Sequence, residues 1–297
     1  MLMTKSKGRR LKELMQQGDL IMSPGVYDGF SAHLAEKMGF KTGVIGGSGI
    51  SESRLGRPDR GIMGYEEVVR ACRNLADCTD LLLQGDADTG YGNAVNVYFT
   101  VRGFEDAGLA MIALEDQVWP KRCGHMKGKK VIPAEEMVQK IKAATDARRD
   151  QDFQIKARTD SMATHGINEV IDRLGLYAEA GADVVMADAL TSREGIEKVA
   201  ASVSKPLAVN MGFGIRSRST TPLMHPKELK ALGVAQVTYP RLLTASALRG
   251  MMNGMTAFLD MVKSDAVPDR QDLLASFEEI NELMGEPELN EMEARWA

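Results

Sequence analysis

The stretch Ala107-Gly108-Leu109-Ala110-Met111-Ile112-Ala113-Leu114-Glu115 carries the architecture of this chain. A glycine just past a helical segment supplies the left-handed residue that ends a helix. The apolar run behind it, Met111 to Glu115, reads as a buried parallel strand, and it ends on a carboxylate. The same junction recurs three times. Met38-Gly39-Phe40 precedes Gly43 to Gly47, Ala180-Gly181-Ala182 precedes Val184 to Met186, and Leu232-Gly233-Val234 precedes Gln236 to Tyr239. These glycines lie about 70, 70 and 50 residues apart. The first two intervals are about two βα units each, as an eightfold barrel requires.

Working outward, eight candidate strands emerge: Leu20 to Ser23, Gly43 to Ile45, Leu81 to Gly85, Met111 to Glu115, Phe153 to Arg158, Val184 to Ala187, Leu207 to Asn210 and Val234 to Tyr239. Amphipathic segments such as Ala134 to Ala147 and Ile167 to Glu179 lie between them. No G-x-G-x-x-G follows the first strand, which argues against dinucleotide binding. The expectation is an α/β fold of the TIM type, a (β/α)8 barrel, in one domain over residues 1–297. From about residue 265 a helical extension follows, with an Asp/Pro break at Asp265 to Asp269 and an acidic segment from Gln271 to Arg295.

Composition narrows the function. The chain has 297 residues, 44% hydrophobic and 26% charged, ordinary for a soluble globular protein. A net charge of −4 with scattered Lys and Arg argues against nucleic acid as a partner. No segment approaches the length of a membrane span, and the basic start (Lys5, Lys7, Arg9, Arg10) lacks the apolar stretch of a secretory signal. Three cysteines in so long a chain do not form a disulfide framework, so a reducing, cytoplasmic setting is expected.

In such barrels chemistry sits at the carboxyl ends of the strands. Polar residues gather there: Tyr27 and Asp28, Gly46-Gly47-Ser48, Asp86 and Asp88, Glu115, Arg158-Thr159-Asp160, Asp188 and Asn210. Asp86, Asp88 and Glu115 are hard oxygen donors suited to Mg²⁺ or Mn²⁺, although Asp88 also reads as a loop cap. Four histidines without an H-x-x-x-H pair argue against zinc. Arg158 suits either a bidentate grip on a substrate carboxylate or a structural ion pair across the rim. Gly46-Gly47-Ser48 brings backbone amides against a carboxylate, or forms a plain turn.

The run Glu115-Asp116-Gln117-Val118-Trp119-Pro120-Lys121-Arg122-Cys123-Gly124-His125 adds a thiol. Lys121, Arg122 and His125 surround Cys123 with positive charge, which favours a thiolate and marks it for proton exchange. Cys72 and Cys78, among apolar helical residues, read as inert. Gly124 and the segment Met126 to Lys130 suggest a loop that closes over substrate. Lys129 and Lys130 themselves read as solvated.

Four motifs bear a resemblance to a known family: P-G-V-Y-D (Pro24 to Asp28), G-D-A-D-T-G-Y-G-N (Gly85 to Asn93), the E-D-Q-V-W-P-K-R-C-G-H run, and A-R-T-D (Ala157 to Asp160). The chain resembles the isocitrate lyase and phosphoenolpyruvate mutase superfamily over roughly residues 10 to 290. Within it, the chain is most similar to the branch of 2-methylisocitrate and 2,3-dimethylmalate lyases, whose members keep Cys in this loop. The resemblance implies a Mg²⁺-dependent barrel and a homotetramer with an exchanged C-terminal helix. It implies Asp86 as the direct metal ligand, with Asp59, Asp88 and Glu115 in the water shell. Gly46, Gly47, Ser48, Arg158 and Asn210 would hold substrate carboxylates, with Asp188 and Gly124 also against substrate. Two departures stand out. Asp188 replaces the family's Glu at the sixth strand, and the link from Asn210 to Pro222 is longer, lacks a Glu and carries Arg216 and Arg218, placed either to meet an anion or to face solvent.

Together these imply cleavage of a 2-hydroxy di- or tricarboxylate into an α-keto acid such as pyruvate and a carboxylic acid. Cys123 would be the general acid, with His125 and Arg158 stabilising charge. Tyr27, or a group acting through metal-bound water, would be the base. Alternatives are an oxaloacetate decarboxylase or hydrolase, a carboxyphosphonoenolpyruvate or phosphonate mutase, and a non-catalytic barrel that binds a small acid.

Overall fold

The computed structural model describes residues 5–123, 128–213 and 221–297. Its centre is eight parallel strands: β1 (Ile21–Pro24), β2 (Thr42–Ile45), β3 (Leu82–Asp86), β4 (Met111–Glu115), β5 (Gln154–Thr159), β6 (Val184–Ala187), β7 (Leu207–Asn210) and β8 (Val234–Tyr239). Each pairs with its sequence neighbour from β2 to β8, and β8 pairs with β1. The ring closes where Gly25 bridges Val44 and the Val26 N–H donates to the Val44 carbonyl at 2.9 Å. Glycine is required at that seam, because a β-carbon on residue 25 would collide with the Pro240 backbone. This is the (β/α)8 barrel expected from the junctions. Four strands match their expected bounds; β1, β3 and β5 lie one residue later and β2 starts one earlier.

All four junction glycines adopt positive φ: Gly39 at 87°, Gly108 at 82°, Gly181 at 108° and Gly233 at 86°. A residue with a β-carbon is strained there, so the glycines set where each helix stops and the next strand begins. The helices pack outside by spacing alone. In Tyr65–Cys78, for instance, the buried residues are Val68, Ala71, Cys72, Leu75 and Ala76, one stripe at helical period.

The barrel's two ends differ. At the amino-terminal end, Leu11 of the helix Lys7–Gln16 packs among Ile21, Leu82, Met111 and Val184, with Leu14 and Met15 beside it. That apolar plug leaves the carboxyl end for chemistry. Along β5, Gln154, Lys156 and Arg158 alternate with the fully buried apolar Ile155 and Ala157. The polar set is the one that faces the barrel axis, since Lys156 and Arg158 both line the pocket described below.

Beyond the barrel, the helix Leu242–Val262 buries none of its residues. The expected extension is present as a single turn at Gln271–Leu273 and the helices Phe277–Leu283 and Glu286–Trp296. Lys37 reaches Glu282 at 3.3 Å, tying the extension to the helix Gly29–Lys37. Among the described residues no helix is long and apolar enough to cross a membrane.

Candidate active site

One pocket opens at the carboxyl ends of the strands. Its wall includes Gly46, Ser48, Asp59, Asp86, Glu115, Cys123, Arg158, Asp188 and Asn210. Nine of the residues singled out in the sequence therefore converge although they come from the carboxyl ends, or the loops that follow, of six strands, β2 to β7. Gly47 and Asp88 lie directly behind this wall: a β-carbon on Gly47 would stand 3.2 Å from Lys121 Nζ and 3.4 Å from Asp88 Oδ1. Tyr27 does not line the pocket and packs against Gly49. Asp28 proves to be a helix cap, its carboxylate accepting from the Ser31 N–H at 2.8 Å. Gly124, His125, Arg216 and Arg218 lie outside the described residues.

The acidic half is built by the loop after β3. Asp88 and Tyr91 are held at φ 49° and 58°, a strained turn for residues with side chains. That turn lets the Asp88 N–H donate to Asp86 Oδ1 at 3.1 Å, while the Glu115 N–H donates to the Asp88 carbonyl at 2.9 Å. The other oxygen, Asp86 Oδ2, accepts from the Gly47 N–H at 3.3 Å. The Gly47 amide is thus engaged by Asp86.

Two lysines depart from the sequence reading. Lys121 does not flank the thiol as a cation: its ammonium sits 2.6 Å from Asp59 Oδ1 and 2.7 Å from Asp88 Oδ1, almost fully buried. Burial works against that charge, but Asp88, Asp86, Glu115 and Asp59 outweigh it and hold the pKa well above the ordinary range. Lys129, expected in solvent, is buried, 2.7 Å from Asp160 Oδ1 and 3.1 Å from Asp188 Oδ2. A concentration of buried carboxylates draws in whatever cation the loop can offer. Lys130 is exposed, as expected.

Arg158 is gripped from three sides. Its guanidinium meets Asp160 at 2.8 Å, Glu115 at 3.3 Å and Asp188 at 3.3 Å. The structural ion pair and a substrate contact are compatible, because a guanidinium has five N–H donors in a planar fork. Asp160 is itself fixed by Asp116, which accepts from the Asp160 N–H at 2.9 Å, the Thr159 hydroxyl at 2.7 Å and the Tyr177 hydroxyl at 2.8 Å. On the far wall Asn210 Nδ2 donates to Asp188 Oδ1 at 3.1 Å, and the Thr238 hydroxyl donates to Asn210 Oδ1.

Cys123 is partly buried on the pocket wall, and the cation beside it comes from elsewhere in the chain. Arg241 Nη2 approaches Cys123 Sγ at 4.0 Å, while Arg241 Nη1 is held by Glu52 at 2.7 Å. The Gln117 side chain pins the preceding residue, accepting from the Arg122 N–H at 3.0 Å and donating to the Arg122 carbonyl at 2.9 Å. Sequence reasoning missed Arg241 because nothing local marks a residue 118 positions from the thiol as its neighbour. It also missed Lys156 and Gln84, although the polar-apolar alternation of Gln154 to Arg158 was a readable signal.

The donor set suits a divalent cation. Asp59, Asp88, Glu115, Asp160 and Asp188 form ion pairs with Lys121, Lys129 and Arg158, and Asp86 lies in the same cluster, so these carboxylates outnumber those cations. Burial raises the Glu115 carboxyl well above its usual range, with Asp160 and Asp86 repelling and Arg158 and Lys121 opposing. Glu115 Oε1 is buried without a hydrogen bond. Among the described residues no three His, Cys, Asp or Glu side chains close around one point. The oxygen donors that are present fit Mg²⁺, which keeps several waters and takes one or two direct carboxylates.

A family model described as phosphoenolpyruvate phosphomutase matches residues 11–259. The chain belongs to that family. It is 38% identical to the 2,3-dimethylmalate lyase of Eubacterium barkeri, covering 97% of both chains, and 37% identical to the 2-methylisocitrate lyase of Aeropyrum pernix, covering 94% and 87%. Among solved structures, 2,3-dimethylmalate lyase, described as a PEP mutase/isocitrate lyase superfamily member, superposes with a TM-score of 0.90 at 30% identity, over 99% and 96% of the two chains. A phosphonopyruvate hydrolase in complex with oxalate and Mg²⁺ superposes with a TM-score of 0.83 at 28% identity, over 98% and 99%. The relatives of this family member thus include proteins named as 2,3-dimethylmalate lyase and 2-methylisocitrate lyase.

Proposed function

We propose that this chain is a Mg²⁺-dependent lyase cleaving a 2-hydroxy di- or tricarboxylate of the 2,3-dimethylmalate or 2-methylisocitrate type. The products are an α-keto acid such as pyruvate and a carboxylic acid. One observation carries the reading: a thiol, Cys123, shares a pocket with Arg158 and with Asp59, Asp86, Glu115 and Asp188, members of a cluster in which carboxylates outnumber the cations paired with them. When bound, the cation would acidify the substrate hydroxyl as a Lewis acid. Asp86 would hold it directly, with Asp59, Asp88 and Glu115 reaching it through water; Mn²⁺ would serve the same donor set.

The chain's own residues do the rest. Arg158, Ser48, Asn210 and the Gly46–Gly47 backbone orient the carboxylates, so that the C2–C3 bond is aligned for retro-aldol cleavage. The hydroxyl proton passes through water to a carboxylate of the cluster, the freed electron pair on oxygen forms the C2 carbonyl, and the C2–C3 bond breaks with its electron pair left on C3. Cys123 Sγ donates the proton that quenches it, and Arg241 offsets the charge left on sulfur. Gly124 and His125 belong to this proposal as loop residues closing over substrate, His125 adding positive charge.

Pyruvate release with Mg²⁺, coupled to lactate dehydrogenase, tests the reaction across 2,3-dimethylmalate, 2-methylisocitrate and oxaloacetate. Turnover of a branched hydroxy acid supports the lyase. Turnover of oxaloacetate alone, with acetate and oxalate assayed separately from spontaneous decarboxylation, replaces it by a decarboxylase or hydrolase. Asp86→Ala is expected to lower kcat/KM by about 100-fold or more and to remove the response to added Mg²⁺; full activity in chelator sinks the metal site.

The assembly is proposed as a homotetramer with an exchanged C-terminal helix, in the cytoplasm. Leu248, Met251, Met255, Phe258 and Val262 are 58–66% exposed and repeat at helical period on Leu242–Val262, a face that a second copy would cover. Sedimentation is expected to show four chains, and Met255→Asp with Phe258→Asp a smaller species. A monomeric wild type rules the assembly out. The three cysteines are free, in keeping with a reducing compartment.

A further inference from the structure

Below Arg158 and Asp86 the pocket floor is polar rather than apolar. Lys156 and Gln84 line it, each 2% exposed. The Lys156 ammonium donates to Gln84 Oε1 and, at 3.0 Å, to Gln236 Oε1. Gln236 is locked in turn: its Nε2 donates to Ser23 Oγ at 3.2 Å, and Ser23 Oγ meets Thr42 Oγ1 at 2.7 Å. This chain of contacts fixes each amide's orientation, because an ammonium has only donors and must be met by oxygen.

The consequence is a floor with donors left over. Gln84 Nε2 is buried without a hydrogen bond, and two of the three Lys156 N–H groups are used. We propose, resting on the lyase reading above, that Gln84 and Lys156 form a subsite for an oxygen-bearing substituent of the substrate. The preferred acid carries a carboxylate or hydroxyl where a purely branched-chain acid has an alkyl group. An unpaired buried amide and a buried ammonium are each costly against an alkyl group, whereas a carboxylate satisfies both. Burial also pushes the Lys156 pKa down to about 7, with Asp86 opposing, and an anion seated beside it would hold it charged.

The test compares kcat/KM for 2,3-dimethylmalate with that for analogues in which one methyl is replaced by carboxymethyl (2-methylisocitrate) or hydroxymethyl, at C2 or at C3. Wild type is expected to favour at least one polar analogue by about 10- to 100-fold. Lys156→Met and Gln84→Leu are each expected to abolish that preference while turnover of 2,3-dimethylmalate persists. A wild type that prefers 2,3-dimethylmalate, or a preference unmoved in both variants, overturns the subsite. Calorimetric titration of the same acids separates this from failure of the lyase reading. Without turnover, weaker binding of the polar acid by Gln84→Leu keeps the subsite and removes the lyase, whereas equal binding by wild type and variant removes the subsite. Gln84→Leu leaves the Lys156–Gln236 contact in place and serves where Lys156→Met does not fold.

Discussion

Cys123→Ser is expected to bind metal and substrate as wild type does and to lose about 100- to 10,000-fold in kcat, the range of a removed general acid. Serine matches the thiol in size and leaves the Arg241–Glu52 pair intact. What changes is acidity, since a hydroxyl is a far weaker acid than a thiol. Because the proton is delivered after bond cleavage, KM for a turned-over acid should move little and kcat should carry the loss. Steady-state kinetics with pyruvate detection would read this directly. An unchanged kcat would remove Cys123 from proton transfer and leave it a wall residue.

The second large effect is expected at Lys121. Replacing it by methionine keeps the stem's bulk but strips the ammonium from between Asp59 and Asp88, which lie 2.6 Å and 2.7 Å from it. Removing one partner of a buried ion pair costs about 3–5 kcal/mol, a Tm loss of roughly 5–8 °C in a chain of this size. Activity should vanish as well, because Asp88 supports Asp86 through its backbone N–H and Glu115 through its carbonyl. Burial, with Asp86 and Asp59 adding repulsion, raises the Asp88 carboxyl to about 7 even with Lys121 opposing. Without Lys121 that carboxyl should take up a proton. Its folded pKa is raised, so the folded variant binds more protons near neutrality than the unfolded chain, and its stability should fall as pH rises. Thermal unfolding from pH 6 to pH 9 would show a steeper decline than in wild type. An unchanged Tm and a flat profile would mean that Asp59 and Asp88 do not depend on Lys121 for compensation.

Local chemistry explains which parts of the molecule were legible beforehand. Gly39, Gly108, Gly181 and Gly233 announce helix ends because positive φ is a property of one residue and its neighbours. The strands behind them are visible because burial on both faces leaves an unbroken apolar run. Asp86, Asp88, Glu115, Arg158, Asp188 and Asn210 could be placed on one rim because a parallel barrel sends every strand's carboxyl end the same way. Asp28 was read as a rim residue, yet its carboxylate serves the first turn of the next helix; capping and site chemistry draw on the same residue types at the same positions.

The barrel, its direction and the rim on which the acids gather were thus determined by the sequence itself, through backbone preference and hydrophobic period acting over a few residues. Only the tertiary structure decided which charge meets which. Lys121 turns to Asp59 and Asp88, Lys129 to Asp160 and Asp188, and Arg241 comes from the far end of β8 to Cys123. Those pairings follow from burial. A carboxylate removed from water takes its cation from whatever part of the chain the closed ring brings near, and distance along the sequence has no bearing on that choice.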